Sequence, residues 1–199
     1  MIINACTFLP NDVFSYSAED GVSANKSGDL HDDWDGDGKQ DSLSVKTTEE
    51  EGSSFIKSLK LNLSSSNQDY TMNDTGYVFI NILACDLDQD EDSEILLVFD
   101  TRYAGANGAC ALVIFDQVDG TYTPITKDPF TGDLPDTEKN IAGMYSVELL
   151  EDSKGKNSLR VRQYVAGKFQ TDHIGDIVST YVIEDGKLMA NSTQYISCK

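Results

Sequence analysis

Asp33-Trp34-Asp35-Gly36-Asp37-Gly38-Lys39-Gln40-Asp41, followed at once by Ser42-Leu43-Ser44-Val45, puts carboxylates at positions 1, 3, 5 and 9 of a short loop. Alternate residues of a tightly turned loop can all point at one centre, and a hard divalent cation accepts about six to eight oxygen ligands there. Asp33, Asp35, Asp37 and Asp41 offer side-chain oxygens, and Lys39 a backbone carbonyl. Gly36 and Gly38 suit the same loop, because tight turns need positive φ values that glycine adopts without steric cost. Six carboxylates between Asp29 and Asp41 would repel one another without a counterion. The competing reading is an acidic, glycine-rich surface loop that binds nothing.

The residues after the loop separate two kinds of calcium site. EF-hands and dockerins lead into a helix, and the EF-hand ends on a bidentate Glu at loop position 12. Here that position is Ser44, and Leu43, Val45 and Thr47 alternate with polar residues in the period-2 pattern of a half-buried strand. The loop therefore joins two strands. A second copy, Asp86-Leu87-Asp88-Gln89-Asp90-Glu91-Asp92-Ser93-Glu94, repeats the carboxylate spacing, with Asp86, Asp88, Asp90 and Glu94 as side-chain ligands and Asp92 at the carbonyl position. It lies between two runs rich in β-branched and aromatic residues, Tyr77 to Cys85 and Ile95 to Phe99. Gln89 and Glu91 replace the two glycines, so residues that disfavour positive φ must make this turn.

The pattern Asp-x-Asp-Gly-Asp-Gly-x-x-Asp followed by a strand resembles the calcium loop of FG-GAP and VCBS-type repeats, the integrin-like β-propeller modules of many secreted bacterial proteins. Loop two, Glu94 to Val98, a glycine-containing turn, Ala111 to Phe115 and an Asp119-Gly120 hairpin have a similar layout. The resemblance covers two loops and their flanking strands, about half the chain, and implies a fold and one or two Ca2+ ions but no substrate.

A third, fainter repeat comprises Tyr145 to Leu150, a polar turn from Glu151 to Ser158, and Leu159 to Val165. Its turn carries Lys154 and Lys156, which oppose a cation, so it reads as a degenerate copy without a metal site. Loops beginning at Asp33, Asp86 and about Leu150 give units 53 and 64 residues apart, the size of a four-stranded propeller blade. Unit two reads as strands Tyr77 to Cys85, Glu94 to Phe99, Cys110 to Phe115 and Tyr122 to Thr126. Unit three reads as Met144 to Leu150, Leu159 to Val165, Ile177 to Ile183 and Leu188 to Ile196, with Asp185-Gly186 as the last hairpin turn. Unit one has Leu43 to Thr47 and Phe55 to Leu63; Gly52, Ser53 and Ser54 break the one helical signal, after Thr48, into a loop entering a strand.

The expected fold is all-β, with propeller-like antiparallel sheets in about three blade-like repeats and calcium loops between strands. Three blades are fewer than the four to eight that usually close a ring. A compact β fold and a ring completed by another copy or by further sequence both stay open. Residues 1–126 hold the N-terminal segment and the two calcium-loop repeats, 127–140 a linker with Pro129, Gly132 and Pro135, and 141–199 the degenerate repeat, packed in the same domain.

The chain has 199 residues, enough for one substantial core, and a formal net charge of −19 from 34 acidic and 15 basic residues. Such a charge repels nucleic acid and anionic lipid, although a merely solvated surface has the same composition. No apolar run reaches the roughly 18 residues of a membrane span. Calcium loops of extracellular modules fill at roughly 0.1 to 1 mM, far above cytosolic levels, which points to secretion or surface display. Ile3-Asn4-Ala5-Cys6 has a faint likeness to the end of a lipoprotein signal, with Cys6 as the lipidated residue. Cys6, Cys85, Cys110 and Cys198 allow three full pairings. Joining Cys6 to Cys198 would staple the ends, whereas Cys85 and Cys110 read as buried small hydrophobes.

Catalysis has little support in the sequence. His31 and His173 are the only histidines, and there is no Gly-x-Ser-x-Gly elbow, His-Glu-x-x-His pair, phosphate-cradling loop or Cys-x-x-Cys. Paired carboxylates leave glycoside hydrolysis formally open, yet acids used as ligands are not free for proton transfer. The reading is a non-catalytic extracellular module for surface recognition or adhesion, its partner a glycan or surface protein met by a loop such as Asp100 to Ala109, with Arg102 and Tyr103. A calcium-stiffened spacer and a carbohydrate-active enzyme or its accessory domain are the alternatives.

Overall fold

The computed structural model describes residues 15–17, 27–32, 37–53, 55–64, 68–73, 77–90, 92–100, 110–118, 121–126, 140–152, 154–169 and 172–198. All regular structure among them is β: β1 (Ser15–Ser17), β2 (Ser27–Asp32), β3 (Asp41–Glu49), β4 (Ile56–Leu63), β5 (Gln68–Asn73), β6 (Val78–Cys85), β7 (Glu94–Asp100), β8 (Cys110–Val118), β9 (Thr121–Thr126), β10 (Asn140–Glu151), β11 (Asn157–Ala166), β12 (His173–Glu184) and β13 (Lys187–Ser197). Because no helix is present among them, none is long and apolar enough to cross a membrane.

The strands form two antiparallel sheets, and neither closes. β2 to β5 make a four-stranded meander, each strand paired with its neighbour in sequence. β6 to β9 make a second and β10 to β13 a third. The second and third share one sheet through a single pairing, Met144 with Cys110. Two strands have no counterpart in the sequence reading: β1, which pairs with β10, and β5. β5 is short and carries Asp69 and Asn73, residues with low strand propensity, and its pairing with β4 offsets that preference.

Two cores show how the meanders stack. Leu43, Val45, Leu59, Leu61 and Leu63 of β3 and β4 pack with Phe79, Ile95, Leu97, Phe99, Val113 and Phe115. Val147, Leu149, Leu159, Val161, Tyr181 and Ile183 of β10 to β12 pack with Leu83, Leu96, Val98, Leu112 and Ile114. Odd-numbered residues of β7 thus enter one core and even-numbered residues the other, since successive side chains of a strand point to opposite faces. The middle meander lies between the other two, buried on both sides. That burial explains why Ile95 to Phe99 and Ala111 to Phe115 are continuous apolar runs while β3, β4 and β11 alternate.

Cys85 and Cys110 are buried thiols, on parallel strands at opposite ends of β7, where they face Glu94 and Asp100 respectively. Cys198 is an exposed thiol, and Cys6 lies outside the described residues. Of the 127–140 linker, residues 127–139 also lie outside them, as do residues 101–109, with Arg102 and Tyr103, whereas Asn140 opens β10.

Candidate metal centre

Loop two, between β6 and β7, gathers the acids. Its turn needs one residue in the left-handed region, and in the absence of glycine Gln89 takes that conformation, at φ 72°. The loop then folds back on its own carboxylates. Asp86 Oδ1 accepts from the Gln89 amide at 2.5 Å, Asp88 Oδ1 from Asp90 at 3.3 Å and Asp90 Oδ1 from Asp92 at 3.2 Å. Glu94 Oε2 accepts from the Leu87 amide at 2.5 Å. These local bonds, of the kind Asp makes in turns, tie one oxygen of each side chain to the loop backbone.

Three overlapping triads have carboxylate oxygens within 4.8 Å of one another: Asp86, Asp88 and Asp90; Asp88, Glu94 and Asp116; and Asp90, Asp92 and Glu94. Glu94 is 0% exposed, yet its Oε1 has no hydrogen-bond partner among the described residues; the same holds for Asp92 Oδ1. A buried carboxylate oxygen left without a donor costs several kcal/mol of solvation unless a proton or a cation takes the charge. Burial is the first cause holding the Asp88 carboxyl up at about 6, Asp92 at about 7 and Glu94 at about 10, with neighbouring aspartates adding to each. Burial and the charge of Asp90 also raise Asp116. The residues fit a hard cation: oxygen donors only, convergent, with unpartnered oxygens in their midst.

The loop spacing gives Asp92 a backbone role, and the structure differs in bringing its side chain into the cluster. Two further residues come from outside the loop. Asp116, on β8, is 3% exposed. Asn157, the first residue of β11, is 2% exposed, donates through Nδ2 to the Asp86 carbonyl at 2.9 Å, and leaves Oδ1 without a partner among the described residues. Both could be found by parity. Asp116 continues the row of Leu112 and Ile114, Asn157 that of Leu159 and Val161, and Glu94 that of Leu96 and Val98, all facing one core. The site therefore sits at the end of the interface between the second and third meanders. The third turn, predicted to lack a metal site, contributes Asn157 to this one; its Asp152 Oδ1 accepts from the amides of Lys154 and Lys156 at 2.7 and 3.0 Å.

Loop one is placed in part. It joins β2 to β3, and Gly38 has φ 83°. Asp33 and Asp35 lie outside the described residues. Asp37 forms an ion pair with Lys39 Nζ, and its Oδ1 accepts from the Lys39 amide at 2.8 Å. Asp41 opens β3 opposite Asp32. Among the described residues, the acids that converge as triads belong to loop two and β8.

Two other places bear on function. A cleft of about 300 Å³ runs along β5 and is also lined by Tyr77, Phe99, Ala111 and Val113; among the described residues no charged side chain lines it. At the end of the third meander, His173 Nε2 lies 2.7 Å from Asp176 Oδ1 and 3.6 Å from Cys198 Sγ. Thiol and carboxylate meet the same ring nitrogen, unlike a relay in which base and orienting acid use opposite nitrogens. No family model, curated protein or solved structure matches this chain.

Proposed function

We propose that this protein is a non-catalytic, calcium-binding β-domain of the extracellular kind, built of propeller-like repeats, whose ion stiffens strand-connecting loops and whose role is surface recognition or adhesion. The observation that carries the reading is Glu94: a wholly buried carboxylate, one oxygen held by the Leu87 amide and the other without a partner among the described residues, amid the acids of loop two. Calcium suits an all-protein oxygen cage on an irregular loop, whereas magnesium prefers a regular octahedron and retains several waters. The affinity usual for extracellular modules supports secretion or surface display. Stacking of three four-stranded meanders and the Asp-x-Asp-x-Asp spacing support the likeness to FG-GAP and VCBS repeats. The cleft, whose described lining includes Tyr70, Tyr77 and Phe99 and no charged side chain, supports recognition of a neutral group, such as a sugar ring or an apolar side chain.

The test is a thermal melt of EDTA-treated protein across calcium concentrations, with magnesium as control. A ligand that binds only the folded state at about 100 times its dissociation constant adds about 2.7 kcal/mol. The melting temperature is expected to climb with calcium and hardly with magnesium. A flat calcium response would overturn the reading.

A further inference from the structure

We propose that Asp116 is a ligand of the loop-two cation, and that the ion thereby clamps the third meander onto the second. The inference rests on the reading of loop two as a cation site and concerns what that site controls.

Asp116 comes from β8, a strand away from the loop, yet its carboxylate lies within 4.8 Å of those of Asp88 and Glu94. Together they make the most buried of the three triads, with Glu94 at 0% and Asp116 at 3% exposure. Glu94 Oε1, buried and without a partner among the described residues, is an independent sign that the cluster awaits a positive charge. A sixth carboxylate outside the coordination sphere would only add like charge to the cluster. As a ligand, Asp116 adds an oxygen from β8, so that the ion is held by two strands of the sheet, β7 through Glu94 and β8, as well as by the loop.

The third meander touches this site from two turns. Asn157, at the end of the β10–β11 turn, holds the Asp86 carbonyl. In the β12–β13 turn, Gly186 has φ 65°, and a Cβ placed on it would lie 3.4 Å from Asp116 Oδ2. The turn is therefore seated on the carboxylate, and β13 approaches β9 beside it. With the ion bound, Asp116 is drawn to the cation and offers the turn a fixed surface. Without the ion, Asp116 loses that anchor, and the turn loses the fixed surface with it.

The experiment uses the full chain, calcium as the probe, and the variants Asp90→Asn and Asp116→Asn. Calcium affinity is measured by calorimetry, and amide hydrogen exchange is followed in the β12–β13 turn. Asp90→Asn is expected to abolish binding, and Asp116→Asn to weaken it by at least about tenfold. Calcium should slow exchange of residues 184–187 in the wild type and leave it unchanged in Asp116→Asn. The ion-free melt of Asp116→Asn should equal or exceed that of the wild type, because the substitution removes a like charge; this separates ligand loss from misfolding. If Asp116→Asn binds calcium within about twofold of the wild type while Asp90→Asn does not bind, the clamp is overturned and the loop site stands. If the wild type itself binds no calcium, the site and the clamp fall together.

Discussion

Glu94 shows how one residue can set the behaviour of a site. At the start of a strand whose next five residues are apolar, it stands at the edge of a core with one oxygen bonded to Leu87 and the other buried without a partner among the described residues. Asp88, Asp92 and Glu94 hold their protons to about 6, 7 and 10 when folded and ion-free, against 3.8 for an ordinary Asp and 4.5 for Glu. An acid whose value is raised by folding binds more protons in the folded state than in the unfolded chain. Its contribution to stability is complete below about pH 4 and is lost as pH rises toward the folded value. Stability of the EDTA-treated protein should therefore fall between pH 5 and pH 8, and the increment added by calcium should grow over the same interval, because the cation needs the ionised acids. Urea denaturation at both pH values, with and without calcium, checks this; an ion-free protein more stable at pH 8 than at pH 5 would contradict it. The acids of loop two were legible from their spacing; Asp116 has only its parity with Leu112 and Ile114 as a signal, and a single Asp after Phe115 otherwise reads as the end of a strand.

Loop two does without the glycines of loop one, and Gln89 bears the consequence. A non-glycine residue in the left-handed region costs about 1 to 2 kcal/mol, sustained here by the Asp86 bond to its amide. Gln89→Gly should raise stability by about 1 kcal/mol in EDTA while leaving calcium affinity within about twofold, measured by denaturant unfolding and calorimetry. A loss of stability would show that the Gln89 backbone is not strained. The strand elements themselves follow from local pattern: alternation in β3, β4 and β11, and unbroken β-branched and aromatic runs in β7 and β8. β5 escaped that logic. Its alternation of Tyr70 and Met72 against Asp69, Thr71 and Asn73 is real, but its composition is that of a loop, and only the partner strand β4 makes it a strand.

Across the whole molecule, the middle meander is the common wall of two cores. Leu97 faces the β3–β4 side and is fully buried. Leu97→Ala should cost about 3 kcal/mol through lost burial and the cavity left behind. Since both outer meanders depend on that wall, far-UV circular dichroism and the amide NMR signals of β3 and β11 should report the same shifted urea midpoint. Separate midpoints would mean that the meanders unfold independently. The calcium clamp acts at this scale too, for it joins turns of the third meander to the second at the rim of their shared core.

The sequence by itself determined the β class, most strand positions and the two acidic loops, because strand periodicity and carboxylate spacing are local properties of a chain. The tertiary structure decided which meander lies in the middle, that units two and three join at Met144 and Cys110, and that Asp116 and Asn157 reach loop two. Those facts depend on how sheets stack, and stacking is settled by which apolar faces bury each other most completely, a comparison no short window of sequence contains.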